Sequence, residues 1–275
     1  MNNKHFEFTN ETINIKDHVL HRIRATRDIP EQNVRKGYIG GFVESYDNLR
    51  DNAWVYDDAH VYEDAVVYGN AKVRGRAEVF GDTQVFDNAA VCGRAKVFDN
   101  AFVHGKALVC GDAQVHGDAQ VYERARVFHC ASVYGNAIVH WHAAVFESAE
   151  VSEKAQVHGD AQVYGYAKVS GNAVVCGSAE VCEDAKVCGH ILVYGDARIS
   201  GDAVVTSDRD YIVFKNFWSS GRYFTWTRSN NMWHVGCFYG TGKELIKKAY
   251  KDSEESGRQY ENIVNYVNTC VIGVK

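Results

Sequence analysis

Every sixth residue from Val55 to Val205 is aliphatic. The series opens with Val55, Val61, Val67 and Val73, closes with Val193, Ile199 and Val205, and spans 26 unbroken hexads. Four residues after each aliphatic comes a small one, as at Ala59, Ala65, Ala71 and Ala77, with Thr83 and Ile191 as the departures. A period of six cannot keep an apolar stripe on one side of an α-helix, because the stripe rotates out of register within two or three repeats. It suits short strands joined by tight corners. The aliphatic points inward at mid-strand, Gly with Asn or Asp supplies the backbone freedom of the corner, and Ala fills a cramped inner position. Three hexads close one triangular coil, and coils stacked at about 4.8 Å per rung make a prism roughly 40 Å long.

The expected fold class is therefore mainly β: a parallel β-helix over residues 40–206, preceded by an N-terminal cap at 1–39 that holds the only proline, Pro30, and followed by a small C-terminal α+β domain at 207–275. An open terminal coil exposes unpaired backbone groups, so both ends need covers. The hexad phase begins faintly at Val43 and Leu49. Beyond Val205 the composition turns aromatic and basic. Tyr211–Trp218, Arg222–Arg228 and Met232–Tyr239 read as three strands. Two helices follow, one opened by a capping box of Thr241 and Glu244, the other by Ser256 and Gln259.

The V-x-G-N/D-A-x consensus resembles the hexapeptide-repeat family of left-handed β-helices over roughly residues 40–206. The handedness rests on that resemblance alone. The family usually places Gly directly after the aliphatic, whereas here it stands two residues after. The opening HRIRATRD, then GGFVESYDNL and AWVYDDAHVY, is similar to repeat proteins encoded by phages and prophages. Many family members are acyltransferases and some resemble carbonic anhydrases.

Charge and cysteine content narrow the functional classes. The formal net charge is −5, which argues against general DNA binding. Residues 52–206 carry 12 basic against 20 acidic side chains, and residues 207–275 carry 10 against 7, so phosphate-bearing ligands belong at the C-terminal end. No apolar run approaches the roughly 20 residues of a spanning helix. The first residues lack the pattern of a secretory signal, so the expected location is cytoplasmic, the host cytoplasm if the chain is phage-encoded. The eight cysteines are expected to be reduced. Cys176, Cys182 and Cys188 are six apart and fall on three different faces, where they cannot share a metal or a disulfide.

Residues 18 apart share a face. One face, with His60, Glu78, Lys96, Glu150, Lys168 and Lys186, reads as solvated. A second shows Leu108, Phe128, Phe146 and Tyr164 with Cys92, Cys110 and Cys182. The third shows Val66, Phe102, Ile138, Val174 and Leu192 beside Tyr68, Phe86, Tyr122 and Tyr194, and is the candidate interface of a homo-oligomer, a dimer or trimer. The alternative is that its aromatics stack as a ladder and stabilise the rungs. His104, His140 and His158 lie on this face, but the spacing forces no carboxylate beside them, and no metal site or cofactor is assigned.

Acyltransferases of the resembling family extrude a loop and place a basic histidine between subunits. The uninterrupted hexads leave no such loop, and His129 and His142 read as exposed corners, so no catalytic residue is assigned. In the C-terminal segment, Arg222, Phe224, Trp226 and Arg228, with Trp218 and Trp233, are candidate ligand-binding residues. Rings beside guanidinium groups suit a base and its phosphate, although a small core with snorkelling arginines fits the same pattern. Gly240-Thr241-Gly242-Lys243 matches a phosphate loop only in part, since Glu244 stands where Ser or Thr is required. The functional expectation is a non-catalytic, oligomeric binding scaffold, with a small nucleotide or a host protein as partner and interference with a host defence as one form. An acyl-coenzyme-A-dependent transferase and a structural virion or surface component are the alternatives.

Overall fold

Each aliphatic of the repeat and the residue before it make a two-residue strand, and the four residues between strands make a corner. The computed structural model, which describes residues 5–272, contains 26 such strands from Trp54–Val55 to Val204–Val205. They assemble into three parallel sheets in which each strand pairs with the strand 18 residues on, as Lys96 with Gln114 and Val97 with Val115. The inward valines and alanines, from Ala53 and Val55 to Ala203 and Val205, form one continuous core along the axis. The chain is thus a parallel β-solenoid of nearly nine coils.

The corners show why acidic residues are so frequent. The second residue after each inward aliphatic from Val55 to Ile199 takes a left-handed conformation, and where it is not Gly it is usually Asp or Glu. The carboxylate then accepts the N–H of the corner glycine one coil on: Asp87 from Gly105 at 3.1 Å, Glu147 from Gly165 at 2.8 Å, and Glu183 from Gly201 at 2.6 Å. The strain of a left-handed L-residue is offset by a charge-assisted hydrogen bond. His129 and Trp141 occupy the same left-handed position without a carboxylate to offer.

Backbone polarity decides what each end of the prism requires. At three positions of a hexad, as at Trp54, Tyr56 and Asp58, the N–H donates to a carbonyl of the following coil, here Ala71, Val73 and Gly75. The first coil is left with an excess of outward carbonyls and the last with an excess of outward N–H groups. The N-terminal segment meets the carbonyls with side-chain donors. An antiparallel pair, β1 (Phe6–Ile15) and β2 (His18–Ala25), lies over the first coil, and β3 (Ile39–Val43) leads into the repeat by pairing with His60–Val61. The Asn48 amide donates to the Glu63 and Ala65 carbonyls at 2.8 and 2.9 Å, Arg22 to Gly40 and Asp57, and Gln32 to Asn70, while the His5 ring meets the Ala53 carbonyl at 3.0 Å.

Four features differ from the sequence expectation. The third C-terminal strand is two, Met232–Val235 and Phe238–Thr241, because Gly236 at φ +60° turns the chain in a two-residue hairpin. The first helix, α1 (Gly242–Asp252), keeps its Thr241–Glu244 capping box, but α2 (Glu254–Tyr266) starts from Ser253, whose hydroxyl accepts the Ser256 N–H; Ser256 lies inside the helix and is buried. Against the expectation of reduced thiols, Cys92 and Cys110 are bonded to each other, since successive rungs of the second face bring their Cα atoms within 4.6 Å. The face read as solvated also carries a stack of rings, Tyr62, Phe80, Phe98, His116 and Tyr134, with centroids 4.6 to 5.1 Å apart.

Candidate functional site

The C-terminal sheet reaches the solenoid through the free N–H groups of the last coil. Arg198 N–H donates to Thr225 Oγ1 at 2.9 Å and Val204 N–H to Ser229 Oγ at 2.7 Å, while the Asp210 carboxylate accepts from Thr206 and Ser207, both at 2.8 Å. Burial pulls Asp210 towards the neutral acid, but these hydrogen bonds outweigh it and hold its pKa below the usual carboxylate value. The cap chemistry therefore mirrors the other end, with donors over carbonyls there and acceptors over N–H groups here.

From Phe224 to Thr227 the strand Tyr223–Thr227 is covered on both sides. Thr225 and Thr227 are buried on the solenoid side, and Phe224 and Trp226 are buried among Trp233, Leu245, Ala249, Tyr260 and Val264. The alternation read from the sequence is correct in phase. What the sequence does not show is that the last coil fills the opposite face.

This placement separates the six candidate ligand residues. Phe224, Trp226 and Trp233 are no more than 1 % exposed, so their faces meet other side chains of the chain rather than an incoming base. The Trp226 indole donates to Asn231 at 2.8 Å. Arg228 is spent on the Arg209 and Val271 carbonyls and packs beside Trp226. Trp218 packs edge-on against Tyr260. Arg222 alone lines open space, a cleft of about 280 Å³ that also holds Lys248, Cys237 and Tyr260. The structure thus supports the small-core reading for the aromatics and leaves Arg222 with Lys248 as the exposed basic pair.

At the seam between sheet and solenoid, several polar groups converge. Ser200 Oγ lies 2.8 Å from His234 Nδ1, and His234 Nε2 lies 3.0 Å from the Gly236 carbonyl. Burial, reinforced by the nearby Arg198 charge, lowers the His234 pKa. The pair has the hydrogen bond of a nucleophile and its base, but Ser200 is only 2 % exposed and its carbonyl is covered by the Tyr239 hydroxyl, so it acts as a strut. Beside it, the Tyr164 hydroxyl donates to Glu180 and accepts from Arg198, each at 2.9 Å, and Arg198 also pairs with Glu180 at 3.2 Å. Burial pushes the fully enclosed Cys182 thiol up.

On the third face, Tyr68, Phe86, His104, Tyr122, His140 and His158 form one ladder with centroids 4.7 to 5.0 Å apart. The aromatics are half-buried against each other, as the ladder alternative requires. The strand positions beside them alternate, with Val66, Phe102, Ile138 and Val174 separated by Gln84, Gln120 and Gln156 before ending at Leu192. The apolar strip is therefore a comb, with its exposed end at Leu192 and Tyr194. Two of the three ladder histidines have an acidic neighbour one coil back, Asp87 for His104 and Glu123 for His140, while Trp141 stands beside His158. Among the described residues, no group of three metal-ligating side chains converges.

A second cleft, of about 620 Å³, opens where the third face meets the C-terminal sheet. Leu192, Tyr194 and Asp196 come from the last coil, and Asp208, Tyr211 and Tyr223 from beyond the repeat. The Tyr211 hydroxyl donates to the Leu192 carbonyl at 2.8 Å. Sequence reasoning placed Leu192 and Tyr194 in the apolar strip but missed their partners across the seam. The one usable signal was an aromatic on the last rung just before the period stops.

The fold defines a parallel β-solenoid repeat protein with capped ends and a fixed C-terminal sheet-and-helix module. No protein-family model and no curated protein matches the chain. No helix of the described residues is long and apolar enough to cross a membrane.

Proposed function

We propose that this chain is a non-catalytic binding scaffold of the hexapeptide-repeat kind, in which a rigid solenoid holds a C-terminal recognition module in one orientation. The observation that carries the reading is the seam. Hydrogen bonds accepted by Thr225, Ser229 and Asp210 tie the module to the last coil; one cleft opens at that seam and the other within the module it holds. Ligand sites favour such junctions, where walls of different origin meet.

The third-face comb from Val66 to Val174 is the surface by which copies would assemble into a dimer or trimer, with its end at Leu192 and Tyr194 left open. The phage-type resemblance makes an intracellular inhibitor of a host defence a concrete form of the proposal, acting on a host protein or a small nucleotide. A nucleotide belongs at the Arg222 and Lys248 cleft, where two cations face open space, rather than at the buried Trp226.

Native mass spectrometry of the purified chain, alone and with linear and cyclic nucleotides or acetyl-coenzyme A, tests this reading. An oligomer retaining a nucleotide unchanged supports it. Turnover of acetyl-coenzyme A would replace it with the transferase. Phe102→Glu with Ile138→Glu is expected to shift the oligomer to monomer in light scattering, and an unchanged mass would remove the third face from assembly.

A further inference from the structure

The seam cleft differs in character from the Arg222 cleft. Its walls carry three tyrosines and two carboxylates, Asp196 and Asp208, and among the described residues no Lys or Arg lines it. Tyr194 is 60 % and Tyr223 41 % exposed, so two large rings present area to solvent at its mouth. The third ring is fixed, because the Tyr211 hydroxyl is tied to the Leu192 carbonyl. Burial, with Tyr194 and Asp208 nearby, pushes the Tyr211 pKa up to about 12, so its ring is a neutral phenol.

An aromatic face is the negative end of a quadrupole and attracts a cation brought over it, most strongly when the cation is poorly hydrated. Carboxylates at the rim add attraction for the same charge and repel phosphates. Tyr223 already receives one cation in this way, with Lys215 Nζ 5.1 Å from its ring centroid. A volume of about 620 Å³ lies within the usual range for small-molecule sites.

We propose that the seam cleft is a binding site for a small organic cation whose positive charge sits on an apolar body, held over the tyrosine rings with Asp196 and Asp208 at the rim. This rests on the binding-scaffold reading and adds the chemical class of a ligand. A strongly hydrated inorganic cation gains little from rings, and a nucleotide meets two carboxylates, so neither fits.

The test is calorimetric or NMR titration of the full chain with three probes: choline, n-butylguanidinium, and the uncharged isostere of choline in which a tert-butyl group replaces trimethylammonium. The expected result is saturable binding of at least one cationic probe at one site, about tenfold tighter than the isostere. Tightest binding of choline marks a free metabolite, and tightest binding of n-butylguanidinium an arginine side chain. Tyr194→Ala should weaken the favoured probe about tenfold while Tyr194→Phe retains it, and Asp208→Asn should weaken it severalfold. Tyr194 is exposed, so a thermal melt of Tyr194→Ala should match the parent and exclude misfolding as the cause.

Equal affinity for cation and isostere, no saturation by roughly 10 mM, or indifference to Tyr194→Ala would each overturn the proposal. A chain that fails in these ways but still assembles and retains another ligand in native mass spectrometry keeps the scaffold reading intact.

Discussion

The left-handed corner is the residue-scale unit on which this fold depends, and its cost falls unevenly. Asp87 and Glu147 offset their strain through a neighbouring glycine N–H, whereas Trp141, at φ +61° and 55 % exposed, has no acceptor to offer. Among the described residues its ring meets two other rings, His140 and His158, both edge-on. Replacing Trp141 by Gly should therefore stabilise the protein by about 1 kcal/mol, the scale of a left-handed L-residue, read as a higher urea midpoint at unchanged slope. Asp87→Ala should instead destabilise by about 1 to 2 kcal/mol, since the strain remains and the Gly105 N–H loses its acceptor. If both substitutions shift the midpoint in the same direction, the corner account is wrong.

At the scale of elements, each cap is matched to the polarity of the coil it covers. Asn48 is 1 % exposed and its amide serves the Glu63 and Ala65 carbonyls together. Asn48→Ala should cost about 2 to 3 kcal/mol by leaving two acceptors without partners. Asn48→Asp should cost more at neutral pH, because a carboxylate then faces two carbonyls, and part of the loss should return in acid as the group protonates and can donate. Equal midpoints for the two variants would show that packing, not polarity, governs this cap. The hexads were legible in the sequence because every coil poses the same packing problem and Val and Ala solve it each time. The C-terminal elements were only partly legible. The turn at Gly236 and the cap at Ser253 are local choices that a neighbouring reading, through Tyr239 or from Ser256, satisfies nearly as well. The seam was not legible at all, since nothing periodic connects Arg198 to Thr225 or Tyr194 to Tyr211, and the alternation of Phe224 and Trp226 is the same for a ligand platform as for a core.

For the whole molecule, pH and end chemistry set the limits of stability. Burial, the largest cause in each case, holds His5, His60, His104, His140 and His234 below the ordinary histidine value. Below about pH 6.5 the unfolded chain binds protons that the folded chain refuses. The stability from these groups is thus present above that pH and is lost as pH falls towards the folded values. His18 runs the other way, since its hydrogen bond to Glu44 raises its pKa and its contribution fades as pH rises through that value. Five depressed groups against one raised group predict a lower melting temperature at pH 5.5 than at pH 7.5, and a higher one would contradict the burial of these rings. The opposite polarity of the two ends leads to a sharper expectation. A chain cut after Thr206 exposes mainly N–H donors at one end while the Asn48 and Arg22 side of the prism stays covered, so two such ends meet donor to donor and cannot extend the ladder. Removing residues 1–49 as well frees a carbonyl edge, and donor then meets acceptor in the same parallel register that joins successive coils, with nothing to stop head-to-tail growth. The single truncation should be less stable but of finite size, and the double truncation should form fibres along the solenoid axis, distinguishable by sedimentation and electron microscopy. Fibres from the single truncation would mean that backbone polarity does not control how these ends associate.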